Sequence, residues 1–212
     1  MTLPAARLAA LRENPGLPFV TDCTQGRVEL SRATFDNWVT KTVNFLRLEA
    51  DVDARSRVAV SVPLHWMAAV WCVAVWEAGA DLVLGNDGDF VVGPDGDMVV
   101  VADPLGMAPA PAGVSADWFF PADVRGMPDA LMLPPVEPGG MPGLSALELF
   151  ERASAYASQV GLEVGGRLGT ELVPNDLTGV LALVAAPLAV GGSVVLGPGD
   201  GESITAVAAR SG

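Results

Sequence analysis

The chain has 212 residues, half of them apolar, and a formal charge of −13. That length and apolar content suffice to bury a core without disulfide or metal staples, and they exclude disorder throughout. The acidity argues against the basic patches that hold nucleic acid or anionic membrane surfaces, so neither is expected as a partner.

The scarce reactive residues bound the chemistry further. Lys41 is the single lysine and His65 the single histidine. A two-histidine metal centre within one chain is excluded, and any lysine chemistry must use Lys41. Cys23 and Cys72 fit neither a metal spacing nor a disulfide framework, which points to reduced thiols and a cytoplasmic location. With 24 glycines and 17 prolines, the elements should be short and the loops many.

In chain order, MTLPAARLAALRENPG reads as a helix and lacks the basic-then-apolar order of a signal peptide. FVTDCTQGRVELS reads as a hairpin turning at Thr24–Gly26. Ser31 caps a following helix in which Phe35, Trp38, Val39, Thr42, Phe45 and Leu46 recur at helical spacing. RVAVSVP is a buried strand stopped by Pro63. HWMAAVWCVAVWEAG is a buried helix closing on Gly79, and ADLVLG is the next strand. Strand, helix and strand in that order predict a parallel crossover unit. Trp66, Trp71 and Trp76 on this helix are read as packing residues.

GNDGDFVVGPDGDMVVVAD repeats Asp-Gly-Asp-x-Val-Val. Asp87, Asp89, Asp95 and Asp97 offer calcium-type oxygens, but the EF-hand order and its closing glutamate are absent. The preferred reading is two short strands, each entered through an Asp-Gly turn. Residues 104–142 form a proline-broken excursion with ADWFF and ADVRGMPDAL as islands of order. SALELFERASAYASQVGL is a helix with a Ser145–Glu148 capping box. GRLGTELV is a strand. NDLTGVLALVAAPLAV is an apolar helix, with Asn175 and Asp176 as N-cap residues. SVVL is the closing strand. The uncharged stretch from Leu177 to Pro198 is therefore a helix, a glycine turn and a strand rather than a membrane span.

EPGGMPGLSALELF has the rhythm of a phosphate loop opening a helix, with Gly139, Gly140, Met141, Pro142 and Gly143 as its candidate residues. It holds no lysine. Pro134, Pro135 and Pro138 each remove an amide donor, and Glu137 adds a negative charge. A phosphate cradle needs the opposite, free N–H groups and usually a cation. His65 follows Pro63–Leu64 at a strand-to-helix junction, where α/β proteins bind ligands. The plainer reading is a helix-start residue bonded locally. Ser61 lacks the Gly-x-Ser-x-Gly elbow of a hydrolase, so no Ser-His pair is assigned.

The order of these segments resembles the opening of the adenylate-forming enzymes, the acyl-CoA synthetase or AMP-binding superfamily. Asp53–Pro63 and Glu77–Leu84 match its strand, apolar helix and glycine turn, and LVPNDLTGVLALVAAPLAVGGSVVL is similar to a later segment. The chain also resembles a short actinobacterial family with distant similarity to those enzymes. The resemblance implies an α/β fold with a mostly parallel sheet flanked by helices, like a truncated N-terminal domain. Residues 1–200 would form it, either undivided or with residues 50–142 as an inner subdomain, and 201–212 would be a tail. In the superfamily a lysine lies within the Gly-x-Pro-Lys-Gly loop; here Gly140, Met141, Pro142 and Gly143 match without it. The Tyr-Gly segment and the lysine-bearing lid are not found.

The resemblance therefore implies a non-catalytic AMP-binding-like domain acting in protein association or regulation. No catalytic residue, metal ligand or cofactor is assigned, and ATP or AMP is disfavoured. A homodimer or protein partner is expected across an apolar face left by truncation. The alternative is a small-molecule binder or enzyme whose remodelled pocket takes an acyl or nucleotide-like ligand, using Gly139–Gly143 and the strand ends near His65.

Overall fold

Local capping chemistry sets the element starts in the computed structural model, which describes residues 1–199 and 201–208. Thr2 caps α1 (Leu3–Glu13). β1 (Pro18–Asp22) and β2 (Val28–Ser31) form the antiparallel hairpin. The Ser31 hydroxyl accepts from the Thr34 amide and opens α2 (Arg32–Leu48).

β3 (Arg57–Val60), α3 (Trp66–Glu77) and β4 (Asp81–Leu84) make the parallel crossover. Every residue of α3 from Trp66 to Trp76 is buried. A helix apolar on all sides must be surrounded. α3 touches α1 and α2 as well as β1, β3 and β4. Trp66, Trp71 and Trp76 are among the largest fully buried side chains. Truncating one of them to alanine would cost about 3–5 kcal/mol.

β5 (Phe90–Gly93), β6 (Met98–Val100) and β7 (Trp118–Phe120) complete an all-parallel sheet ordered β4-β3-β5-β6-β7. The short α4 (Ala122–Arg125) follows. An extended segment then leads to α5 (Ala146–Gln159), which carries the full Ser145–Glu148 capping box.

β8 (Arg167–Thr170) is followed by α6 (Leu177–Val180), whose Gly179 amide donates to the Asp176 side chain. A π-turn (Leu181–Ala185) links α6 to α7 (Ala186–Ala189). The widened turn precedes Pro187, whose missing N–H interrupts an ordinary helical ladder. β9 (Ser193–Leu196) and β10 (Ala206–Ala208) follow. The second sheet is ordered β10-β8-β9-β1-β2, and only its β1–β2 pair is antiparallel. Among the described residues no helix is long and apolar enough to cross a membrane.

The α/β class and the flanking helices match the sequence expectation, but two five-stranded sheets replace the single sheet. Apolar periodicity identifies strands without saying which strands share a sheet. SVVL, read as the closing strand, lies inside its sheet between β8 and β1. The expected tail is corrected in its first part, because Ala206–Ala208 pairs in parallel with β8. Ahead of β10, Glu202 accepts from Arg27 at 2.6 Å and from Arg167 at 2.9 Å. Residues 209–212 of that expected tail lie outside the described residues.

Candidate functional site

The glycine segment packs against the edge of β4 and the end of α3. The Gly139 amide donates to the Trp76 carbonyl at 2.8 Å, and the Gly140 amide to the Asp81 carboxylate at 3.2 Å. The Gly140 carbonyl accepts from Leu82 at 2.9 Å. Met141 and Leu144 exchange both backbone bonds across a tight turn at Gly143, whose φ is +79°. Pro142 has no amide to offer. A Cβ at Gly139 would overlap the Ala80 carbonyl, and one at Gly140 the Leu144 carbonyl. Both glycines are thus required by close backbone approach.

The electrostatics of this corner repel anions. Gly139 sits on the C-terminal carbonyls of α3, the negative end of the helix dipole. The positive end of α5 is nearby in sequence but already occupied. Glu148 accepts from the Ser145 amide at 2.9 Å and its hydroxyl at 2.6 Å, and these bonds hold the Glu148 carboxyl below its usual pKa.

Lys41 lies elsewhere. Its ammonium donates to the carbonyls of Met127 and Arg125 and pairs with Asp129 at 2.9 Å. It belongs to a ladder along α2 that sequence reasoning missed. Asn44 donates to the carbonyls of Pro128 and Ala130 at 3.1 and 2.9 Å, and accepts from the Met132 amide at 2.9 Å. Arg47 donates to the Pro134 carbonyl at 2.8 Å. Three polar residues at i, i+3 and i+6 face one side of a helix. That spacing was the available signal, and it fastens the extended segment after α4 to α2.

His65 is the N-cap of α3. Its Nδ1 accepts from the Met67 amide at 3.3 Å, and its ring is buried. Nε2 lies 3.7 Å from Asp22 and has no hydrogen-bond partner among the described residues. Burial lowers the pKa of His65, against the raising influence of Asp22 and Asp103. The structure does not bring His65 and the glycine segment together, since they mark opposite ends of α3. Along a 12-residue helix that separation is about 16 Å.

The strand ends near His65 do form a cleft of about 410 Å³, lined by Ser61, Pro63, Gly85, Val173 and Asn175 among others. Its walls come from both sheets: the ends of β3 and β4, and the turn between β8 and α6. Asp176 caps α6 through the Gly179 amide at 2.7 Å, while Asn175 is exposed. The thiols are poorly suited as nucleophiles. Burial pushes Cys72 up to about 12, and raises the half-buried Cys23 as well.

In the acidic repeat the second aspartate of each copy serves the neighbouring strand. Asp89 accepts from the Arg57 amide of β3, and Asp97 from the Val91 amide of β5, each at 2.8 Å. The glycine before each aspartate abuts that same strand: a Cβ at Gly88 would lie 2.6 Å from the Ala59 nitrogen, and one at Gly96 would overlap the Val91 carbonyl. Among the described residues no group of three or more His, Cys, Asp or Glu is placed to hold a metal.

No family model matches the chain. A TIGR03089 family protein of Mycobacterium tuberculosis is 32% identical over 200 residues, covering 83% of this chain and 82% of that protein. The chain belongs to the TIGR03089 family. Solved structures show what fold this TIGR03089 member has. An acyl-CoA synthetase of Brucella canis superposes with a TM-score of 0.71 at 14% identity, covering 100% of this chain and 44% of that one. A nonribosomal peptide synthetase, FmoA3, gives a TM-score of 0.68 at 16% identity, covering 93% and 23%. Its AMPPNP-bound form gives 0.67, with the same identity and coverage. The TIGR03089 chain thus spans less than half the length of the solved proteins it matches, and shares with them the fold of adenylate-forming enzymes.

Proposed function

We propose that the chain is a non-catalytic domain of the adenylate-forming fold, acting in protein association or regulation. One observation carries this reading: the amides of Gly139, Gly140, Met141, Leu144 and Ser145 all have partners within the chain. A bound triphosphate would have to displace several of those bonds. Little compensates it there, because the single lysine is engaged by Met127, Arg125 and Asp129. The expected result of titrating the chain with ATP and Mg²⁺ in a calorimeter is no saturable heat. Micromolar binding, or pyrophosphate release on adding a carboxylic acid, would overturn the reading.

The association half is supported by Val173 and Val207, which are 42% and 65% exposed. Val173 stands just after β8, and Val207 on the edge strand β10. A homodimer is expected at twice the 21.8 kDa chain mass. Light scattering that finds a clean monomer counts against it. A cytoplasmic location belongs to the same proposal, supported by the free Cys23 and Cys72.

A second reading is favoured by the cleft between the sheets. It lies outside the carboxyl ends of parallel strands, where α/β folds bind small molecules. In that reading the chain takes an acyl or nucleotide-like ligand against Ser61 and Asn175. Thermal shift with acyl-adenylate analogues, abolished by Asn175→Ala, is its expected signature; no shift across a broad panel removes it.

A further inference from the structure

Between β6 and β7 the chain makes a tight turn that is pinned at successive residues. The Trp66 indole donates to the Pro104 carbonyl at 3.1 Å. Gly106, with φ +66°, is buried against the rings of Trp38 and Trp66, where a Cβ would lie 3.1 Å from each. Its amide donates to the Asp103 carbonyl at 3.1 Å, and the Met107 amide donates to the Asp103 carboxylate at 2.7 Å. The backbone at Met107 is thus held, while its side chain is 62% exposed.

The sulfur of Met107 meets a cation. Arg125, the last residue of α4, places Nη1 3.6 Å from Met107 Sδ, the one partner of its guanidinium among the described residues. The backbone of Arg125 is held as well: its amide donates to the Pro121 carbonyl at 2.9 Å, and its carbonyl accepts from Lys41 at 3.1 Å. A thioether is a weak acceptor, so the Nη1–Sδ contact binds the loop to α4 only loosely. Met132 is a natural comparison within the chain, being 58% exposed with no such donor at its sulfur among the described residues.

We propose that Met107 is an oxidation site at which hydrogen peroxide converts the thioether to the sulfoxide, and that the new oxygen fastens this loop to α4 through Arg125. A lone pair of Sδ attacks one peroxide oxygen. The S–O bond forms as the O–O bond breaks, and the departing oxygen leaves as hydroxide. The hydroxide takes the proton that the transferred oxygen carries, giving water. Sulfur loses two electrons and the peroxide gains them. The Arg125 N–H groups stabilise the charge that develops on the departing oxygen. Afterwards they donate to the sulfoxide oxygen, a polar acceptor in place of an apolar thioether. This inference does not rest on the glycine segment, and a nucleotide bound there would leave it standing.

The test treats the folded full chain with hydrogen peroxide and follows each methionine by peptide mass spectrometry. Met107 should oxidise about fivefold faster than Met132, the effect of a charge-assisted bond discounted for exposure. Arg125→Ala should bring the two rates together. Hydrogen exchange at the Gly106 and Met107 amides should slow by about the same factor in the oxidised chain. That slowing should vanish in Arg125→Ala and in Met107→Leu after the same treatment. Equal rates at Met107 and Met132, a preference that survives Arg125→Ala, or exchange that is unchanged or faster after oxidation would each overturn the proposal. Should Arg125→Ala fail to fold, the two rates in the natural chain and the exchange of Met107→Leu decide.

Discussion

Asp22, the last residue of β1, accepts the amide hydrogen of Trp66, the first residue of α3, at 2.8 Å. The contact joins the two sheets, for β1 belongs to one and the β3–α3–β4 unit to the other. A carboxylate thereby occupies the positive end of the most buried helix. Asp22 also accepts from the Thr24 amide and hydroxyl, at 2.9 and 2.6 Å. Asp22→Ala removes the acceptor for all three donors and leaves the Trp66 amide buried without a partner. The expected loss is about 2–4 kcal/mol in urea unfolding, from charged-acceptor bonds and a lost cap. A loss below about 0.5 kcal/mol would mean that this contact does not hold the sheets together.

His65 makes that junction pH-sensitive. Its native pKa is lowered by burial, so the folded chain binds a proton less readily than the unfolded one, whose histidine titrates near 6.5. Stability from this group is fully present above 6.5 and falls as pH drops below it. Protonation also removes Nδ1 as acceptor for the Met67 amide. His65→Asn keeps a capping side chain but cannot titrate. Between pH 7 and 5.5 the natural chain is expected to lose more stability than the variant. Equal slopes in chemical denaturation across that window would refute the assignment.

The Asp-Gly-Asp repeat leads to a prediction with two arms. Gly88→Ala or Gly96→Ala pushes a methyl group into a neighbouring strand, at a cost of about 1–3 kcal/mol from overpacking. Since Asp89 and Asp97 already accept strand amides, millimolar calcium should leave the melting temperature where EDTA leaves it. A rise of several degrees with calcium, lost in Asp97→Asn, would restore the metal reading.

What was legible in the sequence was local. Ser31, Asp176 and the Ser145–Glu148 box are capping signals confined to one turn, and each caps its helix in the structure. The β3–α3–β4 crossover was legible because Pro63 and Gly79 punctuate it. What stayed hidden depends on partners distant in sequence. Asp22 finds Trp66 across 44 positions, and Asn44 finds Met132 across 88. Neither leaves a trace in periodicity. Gly139–Gly143 shows the same limit at the candidate site. The motif was visible, but its amides' partners, Trp76 and Asp81, are set by tertiary packing. β10 carries a weak signal because it is three residues long and two of them are alanine, which strands disfavour.

The ladder on α2 gives the last prediction. Asn44 is buried, and one side-chain amide serves the carbonyls of Pro128 and Ala130 and the amide of Met132. No other residue type of that size offers two donors and an acceptor in one plane. Asn44→Ala strands three backbone groups at a cost of about 2–3 kcal/mol. Asn44→Asp keeps the acceptor but turns both donors into a buried charge, so it should be at least as damaging. Because Lys41 and Arg47 still grip Met127 and Pro134 on either side, the defect should centre on residues 128–132. Hydrogen exchange at Met132 should accelerate well beyond that at the core amides of α3, and proteolysis should cut first in this segment. Uniform acceleration across the chain would show instead that the ladder carries global stability rather than the local anchoring of the segment.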